Sequence, residues 1–483
     1  MSSQTQKRTW LRRKGLKSLV CAGCWACSML VGLEGMGLSQ ELPKVRLKFG
    51  TLGPKGTNVT NALESVEKDF FKPIGKNLGY DIGFIPYYGG VMGDDNQMLQ
   101  KAQMGQLDII TPTVNAQPSI SKKLEVVYMA YLINDYGQFD RVMTAMKDFN
   151  DVLWDKGFVN LIELTEGIHD LYLAGPWRTP EALKKNLKAC NYTGGPDDTF
   201  FRAHGIPQVP IQPPEMFPSF KAGLSNAVIL PSMFVIGMQI YTALPYIVQP
   251  SIRTSMTAPM FTKQAVDRLP NDIRIMVISL SPFLHWNLNG IMRDGAVAFT
   301  KAMLKYGSKM VSLSPEELKA WKQPCLAYRE TYLGNDEEKR DAYKKISAAL
   351  EGYDTSVEKA IFEADPSYAN FPERQKKLAD TLEAYIKTGS KEELGKLESG
   401  HVIEKWRLYD LIGASEEIIK TGKTDAFVAW LGNYRAEGEM EKYVLPYKND
   451  IKKLYGTKEA LNQRLQEIVG YLRSPRYKGF QKK

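Results

Sequence analysis

Cysteine and histidine are scarce in this chain of 483 residues, five of one and four of the other. Cys21, Cys24 and Cys27 sit in an N-terminal segment that reads as removable, which leaves Cys190 and Cys325. That excludes a disulfide scaffold or a cysteine-rich zinc site, and leaves a single Cys190–Cys325 disulfide open. His169, His204, His285 and His401 show no pairing at metal-ligand spacing, so no metal and no cofactor is expected. No Cys-His motif accompanies Cys190, and a buried thiol is preferred over a nucleophile. Gly89-Gly90 and Gly194-Gly195 lack the Lys-Ser/Thr that closes a phosphate loop. With no acid/base or nucleophile constellation, an enzyme is the least supported reading.

A one-sided charge is also missing from the body of the chain. Residues 1–39 hold six basic residues against Glu34 alone, whereas the rest holds 57 basic and 53 acidic residues. The net charge of +9 is therefore concentrated at the N-terminus, and nucleic-acid binding has little electrostatic motive. A long apolar run is absent too. Residues 18–33 are uncharged and follow a basic segment ending at Lys17; small residues at Gly37 and Ser39 suit cleavage before Gln40. An export signal over 1–39 and a periplasmic destination are expected. Sixteen uncharged residues only marginally span a bilayer, so a retained anchor is the weaker alternative. Arg12-Arg13 leaves a twin-arginine route open beside the general one.

What is present is an α/β pattern. VRLKFGTL (Val45–Leu52) alternates as a strand should, GYDIGFIPYYGG and LDIITPTV read as further strands, and Met129 to Leu132 and FVNLIEL (Phe158–Leu164) continue the alternation. Tyr88 to Asp108 reads as a strand end, a double-glycine turn and a helix. Gly89 and Gly90 supply backbone freedom, Asp94 caps the helix with Gln97 as its capping-box partner, and Met98, Leu99 and Ala102 form its apolar face. Ser232–Val248 is rich in Met and aromatic residues and reads mainly as a buried helix, with Met233 and Met238 able to adapt to an apolar ligand if they face a cleft. Ser314-Pro315-Glu316-Glu317 starts an amphipathic helix, and residues 334–483 read as helical throughout.

The letters YGGVMGDDNQMLQKAQMGQLD resemble the "YPGGxLGDExxMLxxxxxGxLD" stretch of solute receptors of tripartite ATP-independent periplasmic (TRAP) transporters, dicarboxylate-receptor type. GPWRTPEALKKNLK, GIPQVPI followed by EMFPSFKAGLSNA, and FTKQAVDRLPNDIRIMV resemble later family segments in the same order, across roughly residues 45–333. The resemblance implies a two-lobe, type II-like periplasmic binding protein that closes about a hinge, with a helix spanning both lobes. Lobe I is expected over 42–167 plus about 255–298, and lobe II with the spanning helix over 168–254 plus about 299–333. It further implies a small-molecule solute in the cleft and membrane permease subunits as partners. The 334–483 extension falls outside the resemblance and is expected to serve a protein partner or self-association, so that its deletion spares solute affinity.

The resemblance also marks departures. The family's carboxylate-binding arginine aligns with Cys190, a second arginine with His169, and its asparagine with Leu230 beside Ile229; Leu52 stands where acid-binding members carry a polar residue. A thiol cannot replace an arginine fork on a carboxylate. A larger, more apolar solute than a small dicarboxylate is therefore expected, oriented by His169, Asp170, Tyr192, Thr193, Thr113 or Asn115. The alternative is an organic acid held by a displaced cation such as Lys55 or Arg202. A periplasmic lipid or sterol carrier with a different partner, and a structural or signalling protein that works through its tail, are the rival functions.

Overall fold

The strand Lys44–Gly50 (β1) shows how the first sheet forms: Leu47 and Phe49 turn into the core while Arg46 and Lys48 face out. The computed structural model describes residues 41–113, 116–146, 153–162, 164–191, 198–353, 371–392, 394, 408–432 and 440–474. β1 lies parallel to Asp81–Tyr87 (β2) and to Ile109–Ile110 (β3). Phe158–Asn160 (β4) and the later Met260–Thr262 (β10) complete this sheet in the order β2-β1-β3-β10-β4, with β10 antiparallel to both neighbours.

The second sheet contains Leu164–Leu173 (β5), Ala189–Asn191 (β6), Gln208–Pro210 (β7), Ala227–Pro231 (β8), Tyr246–Thr257 (β9) and Lys309–Ser312 (β11). Its order is β11-β9-β5-β8-β6-β7. β5 and β9 run antiparallel from Leu164↔Thr257 to Leu173↔Tyr246, with register shifts between Thr165 and Gly167 and between His169 and Leu171. β4 leads into β5 and β9 into β10, so this ribbon carries two of the crossings between sheets. Residues 42–483 form one compact unit.

Two strand expectations change. FVNLIEL is not one strand: β4 ends at Asn160 and β5 begins at Leu164. Met129–Leu132 is a turn, in which Tyr131 adopts φ 56°. Its N–H donates to the Ile252 carbonyl at 2.8 Å, Arg329 Nη2 donates to its own carbonyl at 2.9 Å, and its ring enters the core of the second lobe. Those partners hold a backbone conformation that a tyrosine otherwise disfavours.

The capped helix follows the sequence closely. Asp95–Gln103 (α1) has Asp94 as N-cap in a complete capping box with Gln97, and buries Met98, Leu99 and Ala102. Ser232–Gly237 (α2) is a short helix, not the start of a long one; a 3₁₀ turn and then β9 follow it. Asn271–Lys305 (α3) reaches from lobe I to lobe II and begins well before the 299–333 stretch with which a spanning helix is expected. Its first half packs in lobe I, Met303 packs in lobe II, and β11 follows. Pro315–Leu333 (α4) starts with the expected capping box of Ser314 and Glu317.

The C-terminal helices are built into lobe I. Glu337–Leu350 (α5) places Ala342 and Ile346 in a cluster with Leu124, Val127 and Met143. Phe371–Thr388 (α6), Leu408–Thr421 (α7), Asp425–Gly432 (α8), Lys448–Tyr455 (α9) and Lys458–Leu472 (α10) join Leu47, Phe49 and Phe70 in one hydrophobic core. Phe70 and Tyr471 rings lie 5.4 Å apart, and Trp286 and Phe371 rings 5.1 Å apart. Polar ties run alongside, with Lys453–Asp272 at 2.7 Å and Asn77–Glu467 at 2.7 Å. Removing these helices would expose the lobe I core, so the packing argues against a dispensable appendage. Cys190 and Cys325 are both buried, in separate lobe II clusters, and do not form a disulfide with each other.

Candidate functional site

A cavity of about 430 Å³ opens between the lobes at the carboxyl ends of β1, β2, β3, β7 and β8, the place where open α/β sheets offer their loops to ligands. Lobe I contributes Leu52 and Pro54 after β1, Gly89, Gly90, Gly93 and Asp94 after β2, and Thr113 after β3. Lobe II contributes Gln212, Pro213, Pro214 and Met216 after β7, Leu230 on β8, and Phe234 and Met238 on or just beyond α2.

The lobe I wall is held by backbone. Gly89 and Gly90 take φ 63° and 75°, conformations that glycine adopts without strain. Their N–H groups donate to the Gly53 carbonyl at 3.0 Å and the Thr51 carbonyl at 3.1 Å. A Cβ on Gly90 would press on Leu52 at 3.2 Å, so the bare backbone lets that leucine lie over the turn. Asp94 Oδ1 accepts from Gln97 N at 2.8 Å, and Asp94 N donates to Gln97 Oε1 at 3.0 Å. The adjacent Asp95 is buried and accepts from both the Thr113 backbone N, at 3.0 Å, and the Thr113 hydroxyl. Burial pushes its carboxyl up to about 6, against the pull of the Thr113 bonds. The pair thus divides its work: Asp95 fixes Thr113 from behind, and Asp94 stands at the cavity.

Of the residues singled out from the sequence, Leu52, Thr113 and Leu230 line this cavity together. Asn115, Tyr192 and Thr193 lie outside the described residues. Cys190 is fully buried on β6 and shares a cluster with Met216 and Leu230, one layer behind the wall. His169 is fully buried on β5, opposite Pro231 on β8 and Arg253 on β9. Burial first, and Arg253 second, hold its imidazole well below the usual histidine range, so it is neutral. Arg253 is itself buried, with its guanidinium 5.5 Å from the Tyr128 ring centroid. Asp170 accepts from Gln249 Nε2 at 2.7 Å and Ser251 Oγ at 2.5 Å, and burial pushes it up to about 6. None of these three lines the cavity. The period-two reading of β5 and β6 specifies alternating faces, but not which face a neighbouring layer covers.

Sequence reasoning assigned the glycine turn and Asp94 to the scaffold; they are also cavity wall. The signal was available in the double glycine, since a turn that brings backbone to a surface is also where a ligand approaches closely. Of the two methionines able to adapt to a ligand if they face a cleft, Met238 lines the cavity and Met233 is not among the lining residues. Among the described lining residues there is no Lys, Arg or His, and neither Lys55 nor Arg202 lines the cavity. Among the described residues no group of His, Cys, Asp and Glu could hold a metal ion, and no helix is long and apolar enough to cross a membrane.

A family model for bacterial extracellular solute-binding protein, family 7, matches residues 50–333. No curated relative matches the chain. Among solved structures, the periplasmic ectoine-binding protein of a TRAP transporter from Halomonas elongata is 15% identical with a TM-score of 0.58, covering 64% of this chain and 100% of its own. A TRAP periplasmic solute-binding protein from Shewanella oneidensis with bound succinate is 18% identical with a TM-score of 0.58, covering 64% and 99%. Another, from Sulfitobacter sp. NAS-14.1 with bound β-D-galacturonate, is 15% identical with a TM-score of 0.56, covering 62% and 99%. At such identities the likeness is one of fold.

Proposed function

The chain belongs to the family 7 bacterial extracellular solute-binding proteins, and from that premise we propose that it is the periplasmic receptor of a TRAP-type transporter, binding a mainly apolar organic solute between its lobes and handing it to a membrane permease. The observation that carries this reading is the cavity wall. Leu52, Met216, Leu230, Phe234 and Met238 face a space of about 430 Å³ with no basic side chain among the described lining residues. A wall of this kind favours apolar surface by about 25 cal/mol per Å² removed from water, so burying roughly 150 Å² of ligand would contribute about 4 kcal/mol. The same wall opposes a small dicarboxylate, whose charges would lose water without gaining a cation.

Solute capture fits the architecture. The two-stranded ribbon of β5 and β9 and the spanning α3 connect the lobes, an arrangement suited to hinge closure over a ligand. The solute-binding family itself is a receptor class and not an enzyme class.

Native mass spectrometry of the purified chain is expected to show a retained lipophilic molecule of low mass. Met238→Trp, which fills the cavity from a half-buried position, should abolish its retention while leaving the circular-dichroism spectrum unchanged. Tight binding of succinate that is indifferent to Met238→Trp would overturn the reading.

A further inference from the structure

We infer that the cavity selects against carboxylate solutes and takes an amphiphile whose head is a neutral or cationic hydrogen-bond donor, with Asp94 as the residue that sets this preference. The inference rests on the receptor reading above and names the chemistry of its solute.

A carboxylate needs donors, and the described lining residues have few to give. Pro54, Pro213 and Pro214 have no N–H. The N–H groups of Gly89, Gly90 and Gly93 are spent on the Gly53, Thr51 and Gly90 carbonyls, and that of Asp94 on Gln97 Oε1. The glycine turn has the look of an anion-binding nest, yet each of its donors points at the protein. The Thr113 hydroxyl donates to Asp95. Among the described lining side chains that leaves the Gln212 amide as a donor.

Acceptors are better supplied. Asp94 is the only ionisable side chain among the described lining residues, and its cap bond occupies Oδ1, leaving Oδ2 to accept. It stands on the lobe I side, across the cavity from the Leu230, Phe234 and Met238 wall. A ligand laid between the two walls would place an apolar body on lobe II and its head at Asp94. A hydroxyl or ammonium head donates to that oxygen; a carboxylate head meets a like charge at short range with no cation to offset it.

Asparagine caps a helix as well as aspartate does, so Asp94→Asn removes the charge while keeping the start of α1. Octan-1-ol, octylamine and octanoate share one apolar body and differ in the head, which makes them the probes. Each is titrated calorimetrically into the full purified chain and into the Asp94→Asn and Met238→Trp variants. In the unaltered protein octanoate should bind at least about tenfold more weakly than octan-1-ol, and octylamine at least as tightly. Asp94→Asn should bring octanoate to within a few-fold of octan-1-ol and remove any advantage of octylamine. Octanoate binding as well as octan-1-ol in the unaltered protein, a ranking that Asp94→Asn does not change, or no binding by any of the three overturns the inference. Met238→Trp separates this failure from that of the receptor reading. If it weakens all three probes equally while the ranking ignores Asp94, only the head-group preference falls. If the probes bind and it weakens none, the cleft is not where they bind.

Discussion

Lobe I and lobe II each set a sheet and its helices against the cavity, but they are supported differently. The described cores of lobe I draw on the C-terminal helices: Phe371, Leu382, Ile412, Tyr455 and Leu465 in one cluster, Ala342 and Ile346 in the other. The lobe II cores reach no further along the chain than Trp321 and Cys325. Lobe I consequently carries C-terminal helical cover that the described cores of lobe II do not share. Among the described residues, the added helical support falls on lobe I alone.

The comparison is broken most severely by uncoupling the tail from α3. Gly290 leaves room for Phe371, whose ring would lie 2.0 Å from a Cβ at that position, and Trp286 packs beside it with its ring tilted by 53°. Phe371→Ala should destabilise the protein by about 3–5 kcal/mol, the usual cost of truncating a buried aromatic ring. Urea denaturation followed by tryptophan fluorescence reads the change directly. A cost below about 1 kcal/mol would show that the tail adds little to lobe I and remove the asymmetry between the lobes.

The second test acts on the ribbon that joins them. Asp170 is pushed up to about 6 chiefly by burial, from an ordinary value near 4. An acid raised in this way is stabilising in its protonated form. Its contribution is fully present below about pH 4 and is lost as pH rises through 6, on the order of 1–3 kcal/mol in all. Asp170→Asn keeps a neutral acceptor for Gln249 and Ser251 and removes that dependence. Between pH 7 and pH 4.5 the unaltered protein should therefore gain stability relative to the variant, as followed by Tm. Asp95 shifts in the same direction in lobe I and is present in both proteins, so the difference isolates the ribbon. Parallel curves would mean that Asp170 is solvated in solution and the ribbon looser than its packing implies.

Much of this was legible in the residues themselves. The Asp94 and Ser314 capping boxes could be read because a cap is a contract between residues three apart. β1 announced itself by alternation, since one of its faces meets solvent. α3 was harder, because nearly every residue from Asp272 to Asn289 is buried and an all-round apolar helix has no face to betray its period. Its second cover is the tail, which no local pattern could supply. The cavity was legible in part for the same reason. Leu52 and Thr113 follow strand ends, Leu230 sits at the end of β8, and the three meet there, whereas whether Cys190 faced a ligand or a core depended on Met216 and Leu230 standing in front of it.

The smallest effect is expected at the surface of lobe II, and it asks whether polar clamps replace the missing tail. Arg178 donates through Nε and Nη2 to the two oxygens of Glu317, at 2.7 and 2.6 Å, and through Nη2 to the Ser312 carbonyl at 2.5 Å. The fork ties the turn before Pro180–Asn186 to the start of α4 and the end of β11. Arg178 holds the Glu317 carboxyl well below the usual range, at about 2. Yet the arginine side chain is 42% exposed, where water and salt screen most of the attraction. Buried beside it, Trp321 donates from Nε1 to the Arg178 carbonyl at 2.7 Å, a bond that any side chain at 178 would preserve. Arg178→Ala should therefore lower Tm by no more than about 2 °C at low ionic strength, and by less in about 1 M salt. A larger, salt-insensitive loss would mean that lobe II depends on this clamp as lobe I depends on its helices, and that the two lobes are braced alike by different means.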